Sequence, residues 1–225
     1  MLGPVVNGLT IVVCALAGCF IIRGIPQRFE EIIKKAIGLS IIYMGIKGAL
    51  DNQRVLLLVM SMVSGALIGE FINLDRRMNQ FGTWAEVRLS MKGGAFSKGF
   101  VSASILFCTG SMAIVGSMQS GLLGNHETLF AKSILDGSIS LIFGASMGMG
   151  VVFSALPVLI YQGSISLAAG AIKDYLSPDI IREMSAVGSL LVAAIGYNFL
   201  GVKEIRVANL IPAIFIPWLY MGIAG

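Results

Sequence analysis

The sequence predicts an all-α membrane protein, a polytopic bundle of seven to eight transmembrane helices. Three observations carry this. Ionisable residues are scarce: 12% of the 225 residues are Asp, Glu, Lys or Arg and 56% are hydrophobic, whereas soluble domains carry about 25% charged residues. The deficit falls in blocks, since residues 1–22, 99–126, 137–172, 184–202 and 207–225 contain no Asp, Glu, Lys or Arg. A hydrocarbon core takes about 20 apolar residues of helix, and each block has that length or nearly so. Finally, barrel-type alternation is absent, and in lipid the backbone must then close its own hydrogen bonds as helix. The 28 glycines agree, because Gly is commoner in membrane helices than in soluble ones.

In chain order the expected spans are 4–22, 29–50, 55–71, 100–120, 127–146, 148–170, 180–199 and 205–222. The second starts amphipathic and turns apolar at Ala36. The fifth and sixth share one uncharged run, 137–172, too long for a single simple span. Gly144, Gly148 and Gly150 mark a break there and Pro157 a kink; one long broken helix, giving seven spans, is the alternative. Residues 73–98 form a polar segment, cytoplasmic or interfacial. Phe81, Trp84, Arg88 and Met91 have helical spacing within it, which fits either a helix lying in the interface or a solvated loop.

Basic residues set the orientation. Arg23, Arg28, Lys34 and Lys35 follow the first span, and Arg76, Arg77, Arg88, Lys92 and Lys98 follow the third. The turns after the second and fourth hold one basic residue, Arg54, and none. The N-terminus is therefore expected outside the cytoplasmic membrane, with Lys203 and Arg206 inside. Lys173 and Arg182 fall outside, against the trend. Because the basic residues lie in loops between spans, the net charge of +4 does not imply nucleic acid. Cys14, Cys19 and Cys108 sit in apolar runs and define no disulfide frame. Leu16-Ala17-Gly18-Cys19 resembles a lipoprotein cleavage box, but without a basic stretch before it the run reads as a first membrane helix.

The chain reads as one transmembrane domain, 1–225, with a repeat inside it. Pro26, Gly38, Gly45, Leu50 and Arg54 have counterparts in Pro178, Gly188, Gly196, Leu200 and Arg206, and the two copies cross in opposite directions. Inverted repeats are typical of secondary transporters. The corresponding halves are 1–72 and 148–225, flanking central helices over 100–146. A third similar piece, 110–116, complicates a two-fold scheme.

Lys132 and Asp136 lie four apart on one face of the fifth span, well inside it, where ionisable groups are costly and usually face a bundle interior or wet cavity. Ser133 shares that helix; Thr109, Ser111 and Gln119 put polar groups on the fourth. Two readings stand: a polar path or substrate pocket, or an ion pair that fixes packing. Asn7 and Gln162 are lone membrane amides, either interhelical glue or ligands. His126, the single histidine, fits a surface turn or a pH sensor. Gly65 with Gly69 and Gly144 with Gly148 are small-residue packing motifs, usable within a chain or in a homo-oligomer. One His cannot build a His-rich zinc site, and H-E-x-x-H, Walker A and G-x-S-x-G patterns are missing. No metal, cofactor or enzymatic activity is expected.

The stretches LFCTGSMAIVGSMQSGLLGNHETLFAKSILDG and FGASMGMGVVFSALPVLIYQG closely resemble the prokaryotic membrane family catalogued as domain of unknown function 554, and the resemblance covers the whole chain. It implies a bacterial or archaeal cytoplasmic membrane protein, often described as a transporter. It supplies neither a substrate nor catalytic residues. The expected function is movement of a small solute or ion, with Lys132, Asp136, Ser133, Gln119, Thr109, Ser111, Asn7 and Gln162 lining the path. The alternative is a non-transporting membrane partner or sensor.

Overall fold

In a computed structural model the described residues are 1–21, 27–88, 96–109 and 111–224, and they form helices, with no strand among them. In order these are α1 (Leu2–Ile21), α2 (Gln27–Ala49), α3 (Val55–Ile72), α4 (Leu74–Arg88), α5 (Phe96–Cys108), α6 (Ser111–Leu122), α7 (Glu127–Met147), α8 (Gly150–Phe153), α9 (Ala155–Ile172), α10 (Pro178–Phe199) and α11 (Ile216–Ala224). Short 3-10 segments cover Lys173–Tyr175 and Val207–Phe215. Arg23, Pro26, Lys92 and Met91 lie outside the described residues, as do the side chains of Lys34, Phe81, Arg88 and Ser111.

Among the described residues five stretches are long and apolar enough to cross a membrane: α1, α3, α7, α8 with α9, and α10. A sixth is reached if α5 and α6 form one span. The protein is thus a multi-pass helical membrane protein, and side chains such as Leu56, Leu67 and Phe71 on α3 are exposed, as contact with lipid requires.

Three expected helices differ from the observed ones. The single span 100–120 is two helices bent by 62° after Cys108. The span 148–170 is α8 and α9, parted at Ser154. Pro157 has no N–H to offer Phe153 and its ring crowds that carbonyl, so the α-helical bonding is interrupted one turn before it, while Ser154 keeps helical dihedrals and Gly150–Ile172 remains one span. The stretch 205–222 is a nine-residue 3-10 segment before α11. Pro212 and Pro217 deny α-type bonds to two successive turns there, and so long a 3-10 run is uncommon. Between α7 and α8 the chain turns at Gly148, whose φ of 72° suits a residue without a Cβ.

The chain divides into two compact units, each discontinuous in sequence. Unit 1 comprises Met1–Ile25 and Met78–Lys173. In it α1 and α7 run parallel, with Gly3 against Leu129, Gly137 against Thr10 and Gly144 against the Ala15 backbone. Helix α9 runs antiparallel to α1, with Gly8 near Ala155 and Leu159 and Gly163 near Met1. Phe96 and Phe100 of α5 pack with Met78, Val101 and Phe153.

Unit 2 comprises Pro26–Arg77 and Asp174–Gly225. Helix α10 starts at an N-cap, Ser177, whose hydroxyl accepts the Ile180 N–H at 3.3 Å, followed by Pro178, the residue favoured at a first helical position. It packs antiparallel on α2 through small residues, with Gly38 against Gly196, Gly45 against Ala193 and Gly48 against Ser189. Helix α3 packs antiparallel on the 3-10 segment, with Gly65 against Ala213 and Gly69 against Asn209. The end of α3 is clasped: Asn209 Nδ2 donates to Glu70 at 2.6 Å, the Asp75 N–H donates to Asn209 Oδ1 at 2.7 Å, and Arg206 meets Glu70 at 3.3 Å.

A buried polar core as candidate functional site

The interior of unit 1 holds a charged pair. Helical spacing puts Lys132 and Asp136 one turn apart on α7. The Lys132 Nζ donates to both Asp136 oxygens, at 2.8 and 2.7 Å, and the two side chains are only 7% and 6% exposed. Two amides from other helices join them. Asn7 Nδ2, on α1, donates to Asp136 Oδ2 at 3.0 Å and to Gln162 Oε1, on α9, at 3.2 Å. Asn7 and Gln162 are fully buried. Four of the expected residues thus form one network that links α1, α7 and α9.

The packing of these helices explains the approach. Small residues beside the network (Gly3, Gly8 and Gly137) let α1 lie against α7 and α9, as small residues do in membrane helices. Burial of a single charge in this setting would cost several kcal/mol, and the opposite charge with hydrogen bonds offsets it.

The network is not saturated. Asn7 Oδ1 and Gln162 Nε2 are buried and have no hydrogen-bond partner among the described residues. One is an acceptor and the other a donor, so the core offers a complementary polar pair. Ser140, one turn beyond Asp136 on α7, is also buried with its hydroxyl unpartnered, as is the hydroxyl of Thr109 at the α5–α6 break. Cys108, beside that break, lies within electrostatic reach of Lys132 and Asp136.

The other expected residues sit differently. The Ser133 hydroxyl donates to the Leu129 carbonyl at 2.7 Å on its own helix. Gln119 accepts from the Thr128 hydroxyl at 2.7 Å near the α6–α7 turn. There Ser120 and His126 Nδ1 are hydrogen-bonded at 2.9 Å, so His126 is half-buried and engaged. Ser111 opens α6. Sequence reasoning left Ser140 out of the lining set and passed over a second buried carboxylate, Glu183 on α10 in unit 2, 1% exposed. Its signal was present, because Glu183 shares a helical face with Ile180, Met184, Val187 and Leu191, all buried.

Comparison with known proteins agrees with this architecture without adding an activity. The uncharacterized membrane protein YdfK of Bacillus subtilis strain 168 is 30% identical over 221 residues, 96% of this chain and 94% of its own. The uncharacterized protein YqgA of Escherichia coli K12 shows the same identity and coverage. No solved structure matches. The family model described as "Protein of unknown function (DUF554)" matches residues 2–221, and the chain belongs to that family.

Proposed function

We propose that the protein is a secondary transporter or channel that moves a small polar solute or ion across the cytoplasmic membrane, with its site in the Lys132–Asp136–Asn7–Gln162 core. The observation that carries this is the unsaturated network. Buried polar groups are almost always hydrogen-bonded, yet Asn7 Oδ1 and Gln162 Nε2 have no partner among the described residues, beside a buried ion pair. Intramembrane ionisable residues by default mark substrate or ion pathways. The charges of Lys132 and Asp136 cancel, which favours a neutral or zwitterionic solute that brings both a donor and an acceptor. Ser140 and Thr109 complete the polar lining, and Gln119 and Ser111 lie along α6 toward one mouth. The role is binding and passage, with no bond made or broken.

Helix breaks support the same reading. Transporters place discontinuous helices beside their sites, and α5–α6 and α8–α9 are both interrupted within unit 1. The proposed path has eight crossings with the N-terminus outside. Parallel α1 and α7, antiparallel α1 and α9, and antiparallel α2 and α10 are the directions that path requires. The proposed inverted repeat pairs α2 and α3 with α10 and the segment after it. Gly45 and Gly196, equivalent in the repeat, both lie in the α2–α10 crossing.

The test is a solute panel in proteoliposomes, comparing wild type with Lys132→Ala and Asp136→Asn at matched incorporation of folded protein. Uptake that is lost in both variants is expected. Flux retained in both would remove the site from the core, and no flux for any solute with all three proteins folded would favour a membrane partner or sensor.

A further inference from the structure

Asp136 dictates how the two amides of the unit 1 core are turned. It is the ion-pair partner of Lys132, and an ionised carboxylate accepts hydrogen bonds and donates none. The Asn7 atom that meets Asp136 Oδ2 at 3.0 Å is therefore the amino nitrogen Nδ2. The second proton of Nδ2 goes to the neighbouring amide at 3.2 Å, so the Gln162 atom there is the carbonyl oxygen Oε1. What remains is fixed by this relay. Asn7 presents Oδ1, an oxygen with two lone pairs, and Gln162 presents Nε2, a nitrogen with two protons. Neither atom has a partner among the described residues, and both side chains are 0% exposed. They belong to amides that are hydrogen-bonded to each other. Bond lengths within each amide and the 3.2 Å contact keep the two atoms within about 8 Å of each other.

This pattern discriminates between solutes. Two protons on one atom and two lone pairs on the other are complemented by a C(=O)NH2 group, whose oxygen has two lone pairs and whose nitrogen has two protons. A single hydroxyl brings one proton and leaves part of the pair unmet. An ammonium or a carboxylate would enter a core in which the charges of Lys132 and Asp136 already cancel, and an unpaired buried charge is costly. A zwitterion would set both of its charges against neutral amides.

We propose that Asn7 and Gln162 bind the uncharged carboxamide group of a primary amide or urea. The solute N–H donates to Asn7 Oδ1, and Gln162 Nε2 donates to the solute carbonyl. Asp136 is a positioning residue for this contact and acts through Asn7. The inference rests on the transport reading for the placement of the site and narrows its solute to one class.

Thermal unfolding of the full chain in detergent tests the proposal, with titrations of acetamide, N-methylacetamide and N,N-dimethylacetamide. The three share a carbonyl and carry two, one and no N–H. At a concentration tenfold above its dissociation constant, acetamide raises the wild-type midpoint by roughly 3–6 °C. The rise shrinks with the first methyl and is absent with the second. Gln162→Met, similar in length and without a donor, abolishes the acetamide rise. Equal rises for acetamide and its dimethyl form overturn the site, and so does a midpoint that no amide moves, the result expected if water alone fills it. If Gln162→Met yields no folded protein, the methylation series on the wild type decides. Uptake in proteoliposomes separates this inference from the transport reading. Acetamide binding without flux supports the site and removes the transport role, whereas flux of other solutes without amide binding overturns the site and leaves transport standing.

Discussion

Lys132 and Asp136 stabilise each other only as a pair, and this separates their structural role from their proposed transport role. Asp136→Asn leaves an ammonium buried at 6% exposure without its counter-charge, and a buried pair broken on one side loses about 3–5 kcal/mol. Lys132→Met combined with Asp136→Leu removes both charges, and such apolar replacements are often neutral. Denaturant unfolding in micelles should therefore rank the double variant near wild type and well above Asp136→Asn. Flux should be absent from both variants; a double variant that still transports would reduce the pair to packing. The pair was legible in the sequence because it is local, four residues apart on one helix. The Asn7–Gln162 contact was not, since the two amides are 155 positions apart and only the fold sets α1 against α9. Glu183 was passed over among the charges at the start of α10, although its spacing from Ile180 and Val187 places it on the buried face.

At the level of elements, glycine decides which helices touch. A Cβ at Gly144 would collide with the Ala15 backbone, and one at Gly18 with the Leu141 carbonyl. Backbone cannot swing aside as a side chain can, so Gly144→Ala should cost about 1–3 kcal/mol by overpacking. Gly170, with nothing near its Cβ position, should accept Ala without loss, and thermal midpoints of the two variants in detergent give the comparison. The small-residue motifs were visible in the sequence, but their partners were not. Gly65 and Gly69 pack on the 3-10 segment and Gly144 on α1, all within the chain, whereas Gly148 makes a turn. Helix existence followed from apolar length alone. Helix continuity did not, because the interruptions near Pro157 and Pro212 each depend on a single Pro whose effect varies with its surroundings. Pro157 follows a local interruption at Ser154 and Pro212 sits inside a 3-10 segment, while Pro178 simply begins α10.

For the whole molecule the open quantity is the path through the membrane. Apolar length counts five or six crossings, and the eight-crossing path adds α2 and the stretch Val207–Gly222. Helix α2 is long enough at 23 residues but not apolar enough, because its first turns carry Arg28, Glu31 and Lys35, of which the last two pair at 2.7 Å. The final stretch is short, yet its 3-10 portion rises about 2.0 Å per residue against 1.5 Å for an α-helix and so reaches further. Of the two basic residues that fall outside on this path, Arg182 is paired with Asp179, which lessens the conflict with the charge rule. Cysteine labelling tests the path directly, in a chain with Cys14, Cys19 and Cys108 replaced by Ala. Single cysteines at Asp51 and Asn125 should react with a membrane-impermeant maleimide in whole cells. Single cysteines at Arg77 and Val202 should react only once the inner face is opened. Asp51 and Arg77 labelling on one side would show that α3 does not cross. Asn125 and Val202 labelling together would demand an even number of crossings between them, where eight spans give three.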